Sequence, residues 1–128
     1  MATAMNRRMV ARAVVLGSLL LAGTLAIAAE PFRRIKGPQI KARFAGMEMT
    51  DRVHWRDVYE RDGTIRSISL GRASQGKWWV QGDELCQDLG KEQGCYEVWI
   101  SGNKVELRRE GIESAYLEGV LDKPSDPK

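Results

Sequence analysis

The chain has 128 residues, of which 20 are basic and 17 acidic, and its formal net charge is +3. Three of the basic residues, Arg7, Arg8 and Arg12, lie in the first 28 positions, which contain no acid, so the rest of the chain carries 17 charges of each sign. A chain of this length forms one small domain, so its length excludes a multidomain enzyme. Its balanced charge removes the electrostatic argument for a nucleic-acid partner.

Residues 1–28 have the composition of a cleavable secretory signal peptide. A basic start precedes an uncharged apolar run from Ala13 to Ala29, in which Ala26 and Ala28 form the small-residue pattern of a cleavage site. We therefore expect cleavage after Ala28, localisation in the periplasm or outside the cell, and no stable membrane insertion afterwards. An uncleaved anchor is the alternative, although the apolar run is at the short end of what spans a bilayer.

Residues 29–45 are predicted to form a basic arm and a short helix. The stretch 33–43 contains five basic residues and no acid. Ile40 and Phe44 stand four positions apart, which favours a helix over Gln39–Ala45 with one buried face. The basic side chains are expected to be solvated; contact with an acidic surface, on a partner or on the protein's own body, or with lipid head groups, is the alternative.

Residues 46–121 show the pattern of a β-domain, with turn signals every 8 to 12 residues. The extended segments are Met47–Thr50, Val53–Arg61, Thr64–Leu70, Lys77–Gln81, Glu84–Gln87, Cys95–Ser101, Lys104–Arg109 and Ile112–Leu121. We expect six to seven strands from them, with Gly71–Gly76 as a polar connection and a bulge at Gly119. Residues 122–128 contain two prolines and are predicted to be a disordered tail.

Alternation assigns most strands an inward face. The residues predicted to point inward are Trp78, Val80, Tyr96, Val98, Ile100, Val105 and Leu107. The segment Thr64–Leu70 is ambiguous, because Ile68 and Leu70 lie on one face and Ile65 shares the other with serines.

Cys86 and Cys95 are predicted to form a structural disulfide, since an even number of cysteines in a small exported chain indicates a bridge. Catalytic dithiols are usually separated by two residues, and a zinc site needs more ligands than two cysteines and one histidine. We therefore expect no metal and no cofactor.

The fold class follows from short strands with almost no helical periodicity. We predict an all-β fold, a small antiparallel meander curled into a barrel or a sandwich and preceded by a short N-terminal helix.

The stretch from Tyr59 to Leu107 resembles a loose group of small exported proteins from Gram-negative bacteria. The resemblance rests on an Asp-Gly hairpin followed by Gly76-Lys77-Trp78, Leu85-Cys86, Cys95-Tyr96 and Gly102-Asn103. It implies a periplasmic, disulfide-linked, β-rich domain of uncharacterised function. The tripeptide Gly76-Lys77-Trp78 is also similar to the Gly-x-Trp at the start of lipocalin-like barrels.

Tryptophan is the unusual feature of the composition. Trp78 and Trp79 are adjacent, so in a strand they face opposite sides and one of them must lie at a surface or a pocket. An outward ring beside arginine is able to stack on a ligand or a partner side chain. The predicted ligand- or partner-binding residues are Trp79, Trp99, Trp55, Arg66, Arg72 and His54.

No catalytic constellation is evident. His54 is the single histidine and has Asp57 nearby in sequence, but in a strand the two side chains point to opposite faces. The sequence therefore predicts a non-enzymatic β-domain that binds a partner protein or a small ligand. A periplasmic enzyme or enzyme inhibitor that uses His54 or a pocket is the first alternative, and an envelope-associated structural protein held by the basic arm is the second.

Overall fold

A computed structural model describes residues 30–112 and 114–125, together with Gly17 and Gly23. The predicted signal peptide lies outside the described residues apart from those two glycines, as do the last three residues of the predicted tail. No described helix combines the length and the apolar character needed to cross a bilayer.

One short helix and a run of strands make up the described part of the chain. In order they are β1 (Arg33–Arg34), α1 (Gly37–Phe44), β2 (Met47–Thr50), β3 (Trp55–Tyr59), β4 (Thr64–Ser69), β5 (Arg72–Gln81), β6 (Glu84–Asp88), β7 (Gln93–Ser101), β8 (Lys104–Arg108) and β9 (Leu117–Asp122).

Strands β2 to β9 form a closed antiparallel barrel of eight strands. Each strand pairs with the next in the chain, and β9 pairs back onto β2, with Asp122 opposite Glu48 and Val120 opposite Thr50. The short β1 adds to β7 outside the ring. The all-β prediction is confirmed, and the closed ring selects the barrel over the sandwich.

Two predicted segments differ most from the structure. The segment Gly71–Gly76 is not a connection, because Arg72 begins β5 and pairs with Ser69 across a two-residue turn. Leu70 and Gly71 form that turn with φ angles of 50° and 79°. Paired positive φ angles of this kind match the right-handed twist of a hairpin, so polar residues continue the ladder where composition predicts a loop.

The last predicted strand, Ile112–Leu121, is also too long. It starts only at Leu117 and ends at Asp122, the first residue of the predicted tail. Beyond it, the Ser125 hydroxyl donates to Oε1 of Glu48 over 3.1 Å, so Ser125 lies against the outer face of β2.

Helix α1 covers one end of the barrel. It begins two residues before the predicted start, with Pro38 in its first turn, where the missing N–H of proline costs nothing. Ile40 and Phe44 are fully buried. Phe44 packs edge-on against Tyr59 at 5.0 Å between ring centroids, and Tyr59 packs the same way against Trp78 at 5.5 Å. The predicted helical face is therefore the lid of an apolar core.

The part of the lumen next to α1 is filled by the inward side chains of the strands together with side chains of the helix. The main core residues are Ile40, Phe44, Met49, Tyr59, Ile65, Trp78, Leu85, Val98, Val105, Leu107 and Leu121. The residues predicted to point inward on β5, β7 and β8 follow this pattern.

Candidate functional site

The end of the barrel opposite α1 has a polar lining. On β3 the inward side chains are Trp55, Asp57 and Tyr59, in order from the open end toward the helix. On β4 the serines share the inward face with Ile65, which resolves the ambiguity of that strand. Because successive side chains of a strand alternate, the polar residues line the lumen rather than the outer wall.

These residues border a cavity of about 800 Å³ at the mouth of the barrel. Its polar lining comes from β3, β4, β5, β6 and the loop that follows β6: Asp57, Ser67, Ser69, Ser74, Gln87, Lys91 and Glu92. Trp55 and Tyr116 add aromatic surface to the same cavity. The volume lies within the range of small-molecule sites, which combine apolar walls with a few convergent polar groups.

Asp57 is the most perturbed acid of this cavity. Its side chain is buried, and burial raises its pKa to about 6, from an ordinary value of 3.8, by removing water from the charged form. A hydrogen bond from Ser67 opposes the rise in pKa, and the negative charge of Glu92 adds to it. A carboxyl group that titrates near neutral pH in a cavity is a typical mark of a functional site.

The floor of the cavity is a hydrogen bond across the lumen. Oη of Tyr59 donates to Oε1 of Gln87 over 3.0 Å. Burial raises the pKa of Tyr59 well above its ordinary value, so the phenol remains a donor at neutral pH. The polar mouth residues lie between this bond and the open end of the barrel, and the apolar core lies between the bond and α1.

Two inward glycines shape the mouth. A Cβ on Gly76 would collide with the backbone oxygen of Asp88, and a Cβ on Gly94 would collide with the ring and hydroxyl of Tyr96. The side chain of Tyr96 thus leans over Gly94, and its ring stacks on Tyr116 at 4.9 Å between centroids. This aromatic pair forms one side of the rim.

The predicted outward aromatics lie on the opposite surface of the wall. Trp78 is buried and Trp79 is 41% exposed, so the inference that one of the pair faces outward is confirmed. Trp99 is half-buried on the outer face of β7, where its Nε1 donates to Glu97 over 3.0 Å and the Arg108 guanidinium lies 4.2 Å from its ring centroid.

The predicted binding residues do not form one site. Trp55 lines the lumen mouth, whereas Trp79, Trp99 and Arg66 lie on the outer wall. Arg66 is bound to Glu60, with 2.8 Å between nitrogen and oxygen.

Arg72 begins β5 at the open end. Seven positions along the strand separate it from Trp79, about 23 Å at 3.3 Å per residue. The structure therefore does not bring these two predicted partners together.

His54 lies in the turn before β3 and not in the strand. Its Nδ1 is 2.8 Å from Oδ2 of Asp51, and its side chain is 65% exposed. Oδ1 of Asp51 accepts the backbone N–H groups of Val53, His54 and Trp55. Although partial burial opposes it, these bonds hold the pKa of Asp51 well below its ordinary range.

The carboxylate that contacts His54 is therefore that of Asp51, which also accepts the backbone N–H groups of the turn. Asp57, the acid considered from the sequence, faces the lumen instead. His54 also borders an outer groove of about 470 Å³, together with Trp55, Arg52, Arg56 and Asp122. Two of the predicted binding residues, Trp55 and His54, therefore share this groove, while Trp55 also lines the lumen mouth. Arg52 and Asp122 are paired there at 3.0 Å.

The predicted disulfide is present. Cys86 and Cys95 are directly opposite each other on β6 and β7, and their sulfurs are bonded at 2.03 Å. The bridge lies on the outer side of the wall, because Leu85 and Tyr96 beside it point inward. A structural disulfide indicates an oxidising, extracytoplasmic compartment.

The basic arm lies against the protein's own barrel. Arg34 is 3.6 Å from Glu97, and Arg43 donates to the backbone oxygen of Gly102 over 2.8 Å. The backbone N–H of Gly37 donates to Oδ1 of Asp83 over 2.8 Å, which fixes the start of α1. Part of the positive charge in 33–43 is therefore used within the molecule.

The sequence identifies Asp57 only as a neighbour of His54, and it does not identify Ser67, Ser74 and Gln87 as site residues. The available signal was the ambiguity of Thr64–Leu70, where a serine-bearing face competes with an apolar one. Among the residues that the structure describes, no group of three or more histidine, cysteine or acidic side chains is arranged to hold a metal ion.

No family model, no curated protein and no solved structure matches the chain. The similarity of Gly76-Lys77-Trp78 to the start of lipocalin-like barrels does not extend to its position, since the tripeptide lies in β5, the fourth strand of this barrel.

Proposed function

We propose that the protein is a non-enzymatic binding protein that takes a small molecule into the mouth of its barrel. The observation that carries the proposal is the cavity of about 800 Å³ in which a buried carboxyl group, several hydroxyls and two aromatic rings converge. The interior of an eight-stranded barrel is either filled by side chains or wide enough to hold one small ligand, and the polar space at this end matches the second case. A ligand supplies the contacts that such a space leaves open.

The organisation of the barrel supports this role. One end is closed by α1 and filled with apolar side chains, and the disulfide ties β6, which contributes Gln87 to the cavity lining, to its neighbour β7. A site on rigid strands keeps its geometry between ligand-free and ligand-bound states, which reduces the entropy lost on binding.

The compartment is part of the proposal. The disulfide, the signal-like composition of residues 1–28 and the resemblance to small exported proteins of Gram-negative bacteria together support a periplasmic location. There the protein would hold its ligand without a cofactor.

A steric block tests the function. Ser74 faces the lumen mouth on β5, and Ala73, its neighbour, faces outward on the same strand. A set of neutral, cationic and anionic small molecules is titrated into the 15N-labelled protein, and the indole N–H signal of Trp55 reports binding.

We expect saturable shifts of the Trp55 signal in the wild type and in Ala73→Trp, and their loss in Ser74→Trp, where the new ring fills the mouth. The proposal fails if no compound of any charge produces a saturable shift, or if Ser74→Trp binds as the wild type does.

A further inference from the structure

Building on the proposed function, we infer that the ligand is a small organic amine, whose positively charged nitrogen pairs with the carboxylate of Asp57 while its apolar part lies against Trp55. The inference rests on the charge of the cavity, the depth of the acid and the aromatic surface beside it.

Asp57 lies deep in the mouth of the barrel. It lies on the inward face of β3, only 5% exposed, between the aromatic ring of Trp55 at the mouth and the Tyr59 bond at the floor. A carboxylate offers about four acceptor positions, and the Ser67 hydroxyl occupies one of them. Because the residue also lines the cavity, its carboxyl group borders the ligand space.

The residues that line the cavity carry more negative than positive charge. Asp57 and Glu92 both line the cavity, and Glu92 is close enough for its charge to act on Asp57. Lys91 is the single basic residue among the lining residues, so the lining carries one excess negative charge when both acids are ionised. A cation entering this space reduces the repulsion between the acids, whereas an anion increases it.

The ring of Trp55 provides an aromatic surface beside Asp57. Trp55 and Asp57 are two positions apart on one strand, so their side chains are neighbours on the same face. A tryptophan ring attracts cations through its negative face, and the attraction grows as the site loses water. A carboxylate beside such a ring therefore binds an ammonium group better than a neutral hydroxyl of the same size.

Three probes with the same ring test the charge. Benzylamine, benzyl alcohol and benzoate are titrated at pH 7.5 into the protein expressed from its full sequence, with the Trp55 indole signal as the reporter. We expect benzylamine to bind at least about tenfold more tightly than benzyl alcohol, and benzoate to bind most weakly. Equal or tighter binding of either uncharged or anionic probe overturns the inference, and so does the absence of a saturable shift with benzylamine.

The variant Asp57→Asn tests the residue. Asparagine has nearly the same shape and removes a buried charge, so the barrel is expected to fold. A charge-assisted hydrogen bond contributes about 1.5–3 kcal/mol, and we expect benzylamine to bind about 10- to 100-fold more weakly to this variant. Glu118→Gln removes the same charge from the outer face of β9 and should leave the affinity unchanged. Unchanged benzylamine affinity in Asp57→Asn overturns the inference.

A pH series adds a second readout. Between pH 7.5 and pH 5 benzylamine stays protonated while Asp57 gains a proton, so its affinity should fall at the lower pH and that of benzyl alcohol should not. The other titratable or charged groups around the cavity are Tyr59 on β3, Lys91 and Glu92 after β6, Tyr96 on β7, and Tyr116 before β9, with Arg109 over the rings of both rim tyrosines. A benzylamine affinity independent of pH contradicts the assignment to Asp57.

The two proposals fail in different ways. If neutral compounds bind in the mouth and are blocked by Ser74→Trp while amines do not bind, the amine inference is wrong and the binding function stands. If no compound binds, both are wrong.

Discussion

The hydroxyl of Tyr59 donates to the amide oxygen of Gln87 over 3.0 Å, and the bond spans the lumen of the barrel. Tyr59 ends β3 and Gln87 lies in β6, with β4 and β5 between them in the sheet. Both side chains are buried. This bond separates the apolar core under α1 from the polar mouth.

Removing the hydroxyl tests that separation. Tyr59→Phe leaves the buried amide oxygen of Gln87 without its donor, so we expect a loss of about 1–2 kcal/mol in the free energy of unfolding, measured with urea. The double variant with Gln87→Leu removes both partners and should lose less than the sum of the two single variants. Additive losses would show that the two side chains are not coupled.

The pKa of Asp57 makes stability depend on pH. The folded value of about 6 lies above the ordinary 3.8, so between these pH values the folded protein keeps a proton that the unfolded chain has released. Stability from this group is therefore highest below about pH 4, decreases as the pH rises, and reaches its minimum above about pH 6, a difference on the order of 3 kcal/mol.

Asp57→Asn should remove this dependence. We compare the free energy of unfolding of the variant with that of the wild type by urea unfolding at both pH values. The difference, variant minus wild type, is expected to be about 2–3 kcal/mol higher at pH 8 than at pH 4. Glu118→Gln, exposed on the outer wall, is the charge-matched control. The same wild-type-to-Asn difference at pH 4 and pH 8 would show that burial does not perturb Asp57.

The disulfide should contribute a large share of the stability. Cys86 and Cys95 are nine positions apart, and closing a loop of that size removes unfolded-chain entropy equivalent to about 2.5–3 kcal/mol. The double variant Cys86→Ala/Cys95→Ala is expected to lose about this amount in urea unfolding. An unchanged midpoint, or two free thiols in the mass of the exported wild type under non-reducing conditions, would contradict the structural role.

Helix α1 is predicted to be an integral lid of the core. Phe44 is fully buried against Tyr59, so Phe44→Ala should cost about 3–5 kcal/mol through lost burial and the cavity it leaves. Lys36→Ala, exposed just before the helix, is a control for the same segment and should change stability by less than about 1 kcal/mol. Similar small losses in both variants would mean that the helix does not close the barrel.

Much of the fold was accessible from the sequence, because alternation and turn residues act locally. Ile40 and Phe44 at helical spacing located α1, and the inward residues of β7 and β8 followed from alternation. The two cysteines gave the bridge. The segment Gly71–Gly76 has the composition of a loop because the part of β5 that borders the cavity is polar, so composition alone does not predict a strand there.

The candidate site was less accessible, because it depends on ring closure. Ser67, Ser74 and Gln87 lie on three different strands and meet only when the barrel closes. Asp57 drew attention only as a neighbour of His54, whereas the structure directs it into the lumen and pairs the histidine with Asp51. The register of the strands, rather than any local motif, creates the site.

Contacts between a bound probe and the protein test the central claim most directly. In the complex with benzylamine, intermolecular nuclear Overhauser effects should connect the probe to lumen residues, namely Trp55, Ser67 and Gln87. Contacts confined to Trp79 and Trp99 on the outer wall would contradict the account, because binding would then use the outward aromatics and not the mouth of the barrel.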